Sequence, residues 1–341
     1  SVPEAGRKIL LERNGVLSQD ITDLVHPSVA ELAALAARIV GLDIAGVDVV
    51  ATDISRPLEA QGGAIIEVNA GPGLLMHLEP AVGQPRPVGE AIVEHLMGPD
   101  NSGRIPVVGI SGVEHTTAVA MLTGWLLYRA GYTTGLACNA GMYLQMDKIE
   151  TASPGEWESG QRILMNRTTT AAVIESSPRS ILENGLAYDR CQVGVVTGLP
   201  EPVGLEDHHI HSHEQMRTVL RTQIDVVLPT GCAVLNADDA ACAGLAELCD
   251  GSVLFYTVNA DHELRAEHCA QETGRFLVVR EQQIVLLGHQ TETPVMDLRH
   301  PVVERLLQQH LPLPALLAAV GAALALEMDP ALVRAGVETA E

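Results

Sequence analysis

Arg104–Ala118, RIPVVGISGVEHTTA, is the stretch whose reading decides the fold. An apolar run, a glycine turn and paired threonines opening a helix give the outline of a phosphate-binding loop. Such a loop carries a lysine just before its hydroxyl residue. Here His115 holds that place, and the turn is one residue short. By itself the stretch is compatible with a nucleotide site, a ruined one or a chance match.

Working outward, the chain after Val107 alternates strands and helices. Strand VVGIS precedes a helix over 116–130 that stops at the glycine of RAGY, and strand TTGLAC and a helix over 158–166 follow. Further strands are AAVIES (171–176), QVGVVTG (192–198), AVLNADD (233–239), SVLFYTV (252–258) and FLVVR (276–280). Continuous apolar strands alternating with helices predict an α/β domain whose mostly parallel sheet is covered by helices on both faces. The Ala-rich run near 313–326 reads as a buried helix.

Towards the start, residues 28–41 read as a helix capped by Ser28 and ended by Gly41. Strands Ile44–Thr52 and Ala64–Val68 come next, then Pro/Gly-rich segments at 83–89 and 97–106 around a short helix near Glu90–Leu96. The expected organisation is a domain over 1–98, a linker over 99–106 and a second domain over 107–341.

The chain has 341 residues and 47% hydrophobic content, enough for real cores. Its 43 acidic against 21 basic residues argue against a nucleic-acid partner, which needs a basic face. No run of 18 apolar residues predicts a membrane span, and the first residues lack a signal-peptide layout. Six cysteines without a CxxC pair suit a reducing cytoplasm. Only two lysines occur, Lys8 and Lys148, neither in a glycine-rich turn.

Asp48 in GVDVV and Glu67 with Asn69 in IIEVNAGPG form a second constellation. Residues 67 and 69 point to one face of a strand. A facing strand with Asp48 would complete two carboxylates and an amide oxygen around one space. Hard oxygen ligands of this kind suit Mg²⁺ bridging the phosphates of ATP.

The stretch GLDIAGVDVVATDISRPLEAQGGAIIEVNAGPGLLMHLEP resembles the end of the ATP-grasp domain of cyanophycin synthetases. The resemblance implies that residues at the positions of Asp48, Glu67 and Asn69 bind Mg-ATP. LLERNGVLSQDITDLVHP resembles the family segment just upstream, with a shortened Ser/Thr/Gly loop and with Arg13 and Asn14 retained; Arg13 is the candidate catalytic residue. The family continues upstream of Ser1 with an ATP-binding lobe. GISGVEHTTA then resembles the phosphate loop of a Mur-ligase-like central domain, keeping Gly112, Thr116 and Thr117. It lacks the lysine, and Glu114 stands where a polyanion would sit. A carboxylate repels triphosphate, and neutral histidine is no fixed cation.

AAVIESSPRSIL resembles a family segment in which Glu175 keeps a metal-binding carboxylate, while Pro178-Arg179-Ser180 replace Arg-Gly-Gly. Gly198 stands at an asparagine position of the family. The implied fold class is α/β: the C-terminal part of an ATP-grasp domain followed by a Mur-ligase-like central domain. Gly112, Thr116, Thr117 and Glu175 form a vestigial loop and metal position.

The resemblance implies an ATP-dependent peptide ligase with ATP and Mg²⁺ as cofactors and an inactive Mur site. It would extend a cyanophycin chain end with β-Asp-Arg dipeptide, as a cytoplasmic homo-oligomer, this segment alone being inactive. Other readings are a non-catalytic scaffold, a two-site synthetase adding Asp and Arg separately, and a divergent Mur-type ligase, against which the missing lysine argues. In EDHHIHSH, His209, His211 and His213 would share a face if extended and could hold zinc. The competing reading is a solvated loop. Trp125, Trp157 and the cysteines read as packing residues.

Overall fold

The structure, a computed structural model, describes residues 18–98, 102–150, 155–309 and 311–340. The chain divides into two compact units, Ser1–Arg104 and Ile105–Glu341.

The first unit contains α1 (Pro27–Val40), β1 (Gly46–Val50), β2 (Ala64–Asn69), the single turn α2 (Leu75–Leu78) and α3 (Val88–Met97). Helix α1 starts one residue before the expected Ser28 cap. Pro27 has a backbone angle already suited to the first helical position. The cap is therefore His26, whose Nδ1 accepts the Ser28 N–H at 3.2 Å. Gly41, at φ +84°, ends the helix in the left-handed region. Strands β1 and β2 pair antiparallel, with Asp48 opposite Glu67, Gly46 opposite Asn69 and an irregularity after Asp48. The core here is thin. Val29 and Leu58 are buried, whereas Ile39, Ile66 and Leu75 are 76, 65 and 65% exposed. A two-stranded sheet cannot close a core by itself.

The second unit begins β3 (Val107–Ser111), α4 (Thr116–Arg129), β4 (Thr134–Cys138), β5 (Gly141–Leu144) and β6 (Asp147–Glu150). It continues α5 (Glu156–Met165), β7 (Ala171–Glu175), α6 (Pro178–Asn184), β8 (Cys191–Val196), α7 (His213–Asp225) and β9 (Val227–Asn236). Then come α8 (Ala240–Ala243), β10 (Ser252–Thr257), α9 (Leu264–Ala270), β11 (Arg275–Arg280), β12 (Gln283–Gly288) and β13 (Thr291–Asp297). Helices α10 (Pro301–Gln309), α11 (Leu313–Ala325) and α12 (Pro330–Glu338) complete it.

The strands form one 11-stranded sheet in the order β13-β12-β11-β10-β9-β8-β3-β7-β4-β5-β6. From β11 to β4 every neighbour pair is parallel. At both ends antiparallel hairpins extend the sheet, which the sequence reading left out. Helices α4, α11 and α12 pack on one face, and α5, α7 and α9 on the other. Helix α11 is buried from Ala315 to Ala325, as its composition predicts. Its small residues allow close approach: a Cβ on Gly321 would meet Val234 Cγ1 at 3.0 Å. After β7 the chain crosses to the other side of β3 to form β8. Such a switch in strand order opens a crevice at the carboxyl ends of the strands.

Candidate functional site

The phosphate-loop sequence lies at that crevice. Gly112 follows β3 at φ +136°, and a Cβ there would meet the Thr197 amide nitrogen at 2.7 Å. Only glycine fits. The Val113 N–H donates to Thr197 Oγ1 at 3.1 Å, tying the loop to the end of β8. His115 closes the short turn in the left-handed region, at φ +69°, which few residues other than glycine adopt. It stands at the start of α4 without capping it through its side chain.

Thr116 and Thr117 open α4 and turn their hydroxyls to Glu175, at the end of β7. Thr116 Oγ1 donates to Oε1 at 2.7 Å, and Thr117 Oγ1 reaches Oε1 and Oε2 at 2.9 and 3.0 Å. Asn139 adds its backbone N–H to Oε2 at 2.8 Å and its side-chain amide to Oε1 at 3.0 Å. Glu175 is 3% exposed, so a buried carboxylate is satisfied entirely by the chain's own donors. Gly112, Thr116, Thr117 and Glu175 thus come together in space. Their donor set does not fit Mg-triphosphate well: the carboxylate's lone pairs are taken, and among the described residues no lysine or arginine faces the loop.

The cleft above them has a volume of about 850 Å³. Its wall comprises the loop from Gly112 to His115, Thr197, Leu199, Pro200 and Glu201, then Asn236, Tyr256, Pro312, Pro314 and Ala315. Among the described residues no lysine or arginine lines it. Lys148 lies instead on β6, 5.6 Å from the Tyr143 ring. Beneath β3, Tyr188 donates to Gln223 Oε1 at 2.8 Å in a buried polar contact.

Neighbouring motifs do structural work. Asn236 donates to the Thr197 carbonyl at 3.0 Å, and Asp239 caps α8 and accepts the Leu199 N–H at 2.7 Å. Arg179 turns to the surface, with Nη1 2.9 Å from Asp207 Oδ2 and 3.2 Å from Glu183 Oε1. EDHHIHSH is not extended. Glu206–His208 form one 3-10 turn, His209 is left-handed at φ +60°, and Ser212 caps α7, which begins at His213. The helix cap and the turn therefore break the alternation that a shared zinc face needs. His213 Nε2 pairs with Glu201 Oε2 at 3.0 Å. Among the described residues no group of three or more His, Cys, Asp or Glu could hold a metal ion.

In the first unit the hairpin brings Asp48 directly across from Glu67, with Asn69 two residues along the same strand face. Both carboxylates are exposed. Among the described residues neither has a cationic partner within ion-pair distance. Arg13 and Asn14 lie outside the described residues.

Sequence reasoning missed Asn139 and Tyr256. Nothing in the spacing of TGLACNAGMY marks the asparagine, and Tyr256 sits in an ordinary apolar strand. The cysteines are free thiols: Cys138, Cys191, Cys232 and Cys242 are buried, and Cys249 and Cys269 partly so. Burial pushes Cys138 up to about 11 and Cys191 up to about 12, as packing residues rather than nucleophiles. Trp125 donates its indole N–H to the Gly336 carbonyl at 2.8 Å, anchoring α12 to α4. No helix among the described residues is long and apolar enough to cross a membrane.

No family model matches the chain. The cyanophycin synthetase of Crocosphaera subtropica is 36% identical over 279 residues, 80% of this chain and 32% of the relative. That of Synechocystis sp. is 36% identical over 255 residues, 74% of this chain and 29% of the relative. The glutathione biosynthesis bifunctional protein GshAB of Clostridium perfringens is 37% identical over 101 residues, 28% of this chain and 13% of that protein. Among solved structures, a UDP-N-acetylmuramoyl-L-alanyl-D-glutamate–2,6-diaminopimelate ligase aligns with a TM-score of 0.50 at 15% identity, over 74% of this chain and 49% of that one. That likeness establishes a Mur-ligase-like α/β fold. The chain spans about a third of the length of the curated relatives it matches. Along four-fifths of its own length, then, the chain is a homologue of the cyanophycin synthetases.

Proposed function

We propose that the chain is part of an ATP-dependent peptide ligase of the cyanophycin synthetase type, with its chemistry at an ATP-grasp site in the first unit. The observation that carries this reading is the pairing of Asp48 opposite Glu67. Like charges directly across an antiparallel ladder destabilise it. Two carboxylates without a cationic partner among the described residues, beside the Asn69 amide, suit a divalent cation in oxygen coordination. Mg²⁺ bound there would neutralise charge on the phosphates of ATP. Asp48, Glu67 and Asn69 would hold it, and Arg13 would act at the reacting carboxylate. The reaction is phosphorylation of a chain-end carboxylate by ATP, then attack of an amine on the acyl phosphate with release of phosphate. The loop from Gly112 to Thr117 takes no part, because Glu114 and the closed Glu175 cluster oppose a polyanion.

The test feeds the full-length protein ATP, Mg²⁺ and β-Asp-Arg dipeptide. Phosphate release and insoluble polymer are expected, with Glu67→Ala inactive and free aspartate plus arginine giving nothing. Turnover of the free amino acids would overturn the single-site reading in favour of two sites. No turnover with either would overturn the ligase reading. A non-catalytic scaffold, favoured by the self-satisfied Glu175 cluster, would then be the better account.

A further inference from the structure

The second unit carries another pocket beside the body of α4, of about 620 Å³, a volume that suits a small organic molecule. Met121, Trp125 and Arg129 line it at four-residue spacing and so share one face of that helix. Met146, from the turn between β5 and β6, and Leu306 of α10 complete the wall. Met121, Trp125, Met146 and Leu306 pack against the main core yet are only half-buried. None of these residues lines the cleft at the carboxyl end of β3.

The walls are held in place. Trp125 spends its indole N–H on the Gly336 carbonyl at 2.8 Å. Met146 stands at φ +68°, a conformation few residues other than glycine adopt, and its sulfur would meet a Cβ on Gly124 at 3.6 Å, so the turn lays it across α4. Arg129 is the one charged residue lining the pocket among the described residues. Its guanidinium carbon lies 5.5 Å from the centroid of the Trp125 ring. Among the described residues no carboxylate lies within ion-pair distance of it. In a chain with 43 acidic against 21 basic residues, an arginine without an acid at the edge of an apolar wall is the unexpected feature. The C-terminal end of α4 carries about half a negative charge, which the whole charge of the guanidinium outweighs. The local field therefore favours one negative charge next to apolar surface.

We propose that this pocket binds a small organic carboxylate with an apolar body, its carboxylate at Arg129 and its body against Met121, Trp125, Met146 and Leu306. The planar guanidinium fork matches a carboxylate, and a single cation suits one negative charge rather than a polyanion. The two methionines give a wall that adapts to aliphatic bodies of different shape. The proposal does not depend on the ligase reading, since it concerns binding to the second unit and not turnover.

The experiment titrates the full chain with octanoate, 1-octanol and octylamine, which share a tail and differ in head charge, following tryptophan fluorescence and heat. Trp125 forms the pocket wall, whereas Trp157 belongs to α5 on the other face of the sheet. Octanoate should bind best, octanol about two- to fivefold more weakly, and octylamine least, as expected for one exposed ion pair. Arg129→Gln should weaken octanoate about two- to fivefold and leave octanol unchanged. Arg129→Glu should reverse the order, with octylamine above octanoate. Arg129 is exposed at the last position of α4, so both variants keep the fold. Trp125→Phe should abolish the fluorescence change while heat of octanoate binding persists. Absence of octanoate binding, equal binding of the three probes, octanoate binding unchanged in Arg129→Gln, or a fluorescence change that survives in Trp125→Phe would each overturn the proposal.

Discussion

Replacing Glu175 with glutamine tests whether this carboxylate is now an internal anchor. Four donor groups converge on its two oxygens: the Thr116 and Thr117 hydroxyls, the Asn139 N–H and the Asn139 side-chain amide. The backbone N–H cannot turn, so the glutamine carbonyl must take the Oε2 position facing it. The new amide group then faces Thr116 Oγ1 and Asn139 Nδ2. The hydroxyls can rotate and accept, but Asn139 must flip. Hydrogen bonds to a charged acceptor exceed neutral ones by about 1 kcal/mol. Four donors set an upper figure of about 4 kcal/mol. Relief of burying a charge offsets part of it, leaving a loss of about 2 kcal/mol. In a domain this size that lowers Tm by about 4–8 °C. Calorimetry of the full chain with and without Mg-ATP checks it. A Glu175→Gln variant as stable as the parent would refute the anchor. So would a rise in Tm with Mg-ATP that disappears in Glu175→Gln but survives in Glu67→Ala, since it would mark Glu175 as a working metal ligand.

Two further outcomes are expected. Gly109→Ala would thrust a Cβ onto the Tyr188 hydroxyl and the Gln223 amide beneath the loop, costing about 1–3 kcal/mol in urea unfolding; a neutral effect would show that this core can give way. In the first unit, hydrogen bonds from Arg86 hold the Asp20 carboxyl well below its ordinary 3.8. A lowered folded-state pKa means stability present above the unfolded value and lost as pH falls towards the folded one. Unfolding midpoints should therefore fall below about pH 4 more steeply in the parent than in Arg86→Met, and parallel curves would contradict the assignment.

The parallel core was legible because its strands are continuously apolar and each feeds a helix, from VVGIS at β3 to FLVVR at β11. The edge hairpins were not. Their turns place Gln145-Met146 and Glu281-Gln282 at positive φ, 51° and 68° in the first and 51° and 64° in the second. Tight hairpin turns announce themselves through Asn-Gly or Asp-Gly, and none of these four residues carries that signal. Tertiary pairing has overridden local preference there. At the candidate site, positions fixed by backbone geometry or helix start, Gly112, Thr116 and Thr117, could be read from their spacing. Asn139 could not. It comes from the loop after β4 and meets Glu175 only because β4 and β7 are neighbours in the sheet, a fact of topology that local sequence does not carry. The pairing of Asp48 with Glu67 was legible, since two short strands joined by a turn have few registers open to them.

The outermost strands decide how copies of this chain could meet. A free strand edge offers unpaired N–H and C=O groups to any other strand. Here β6 presents exposed Asp147 and Lys148, while β13 presents exposed Glu292 and, at Pro294, a residue with no N–H to offer. Each hairpin therefore works as a gatekeeper at its end of the sheet, penalising intermolecular strand addition with charge or a missing donor. The 11-stranded sheet is thereby an internal spine that is discouraged at both ends from propagating from one copy of the chain to the next.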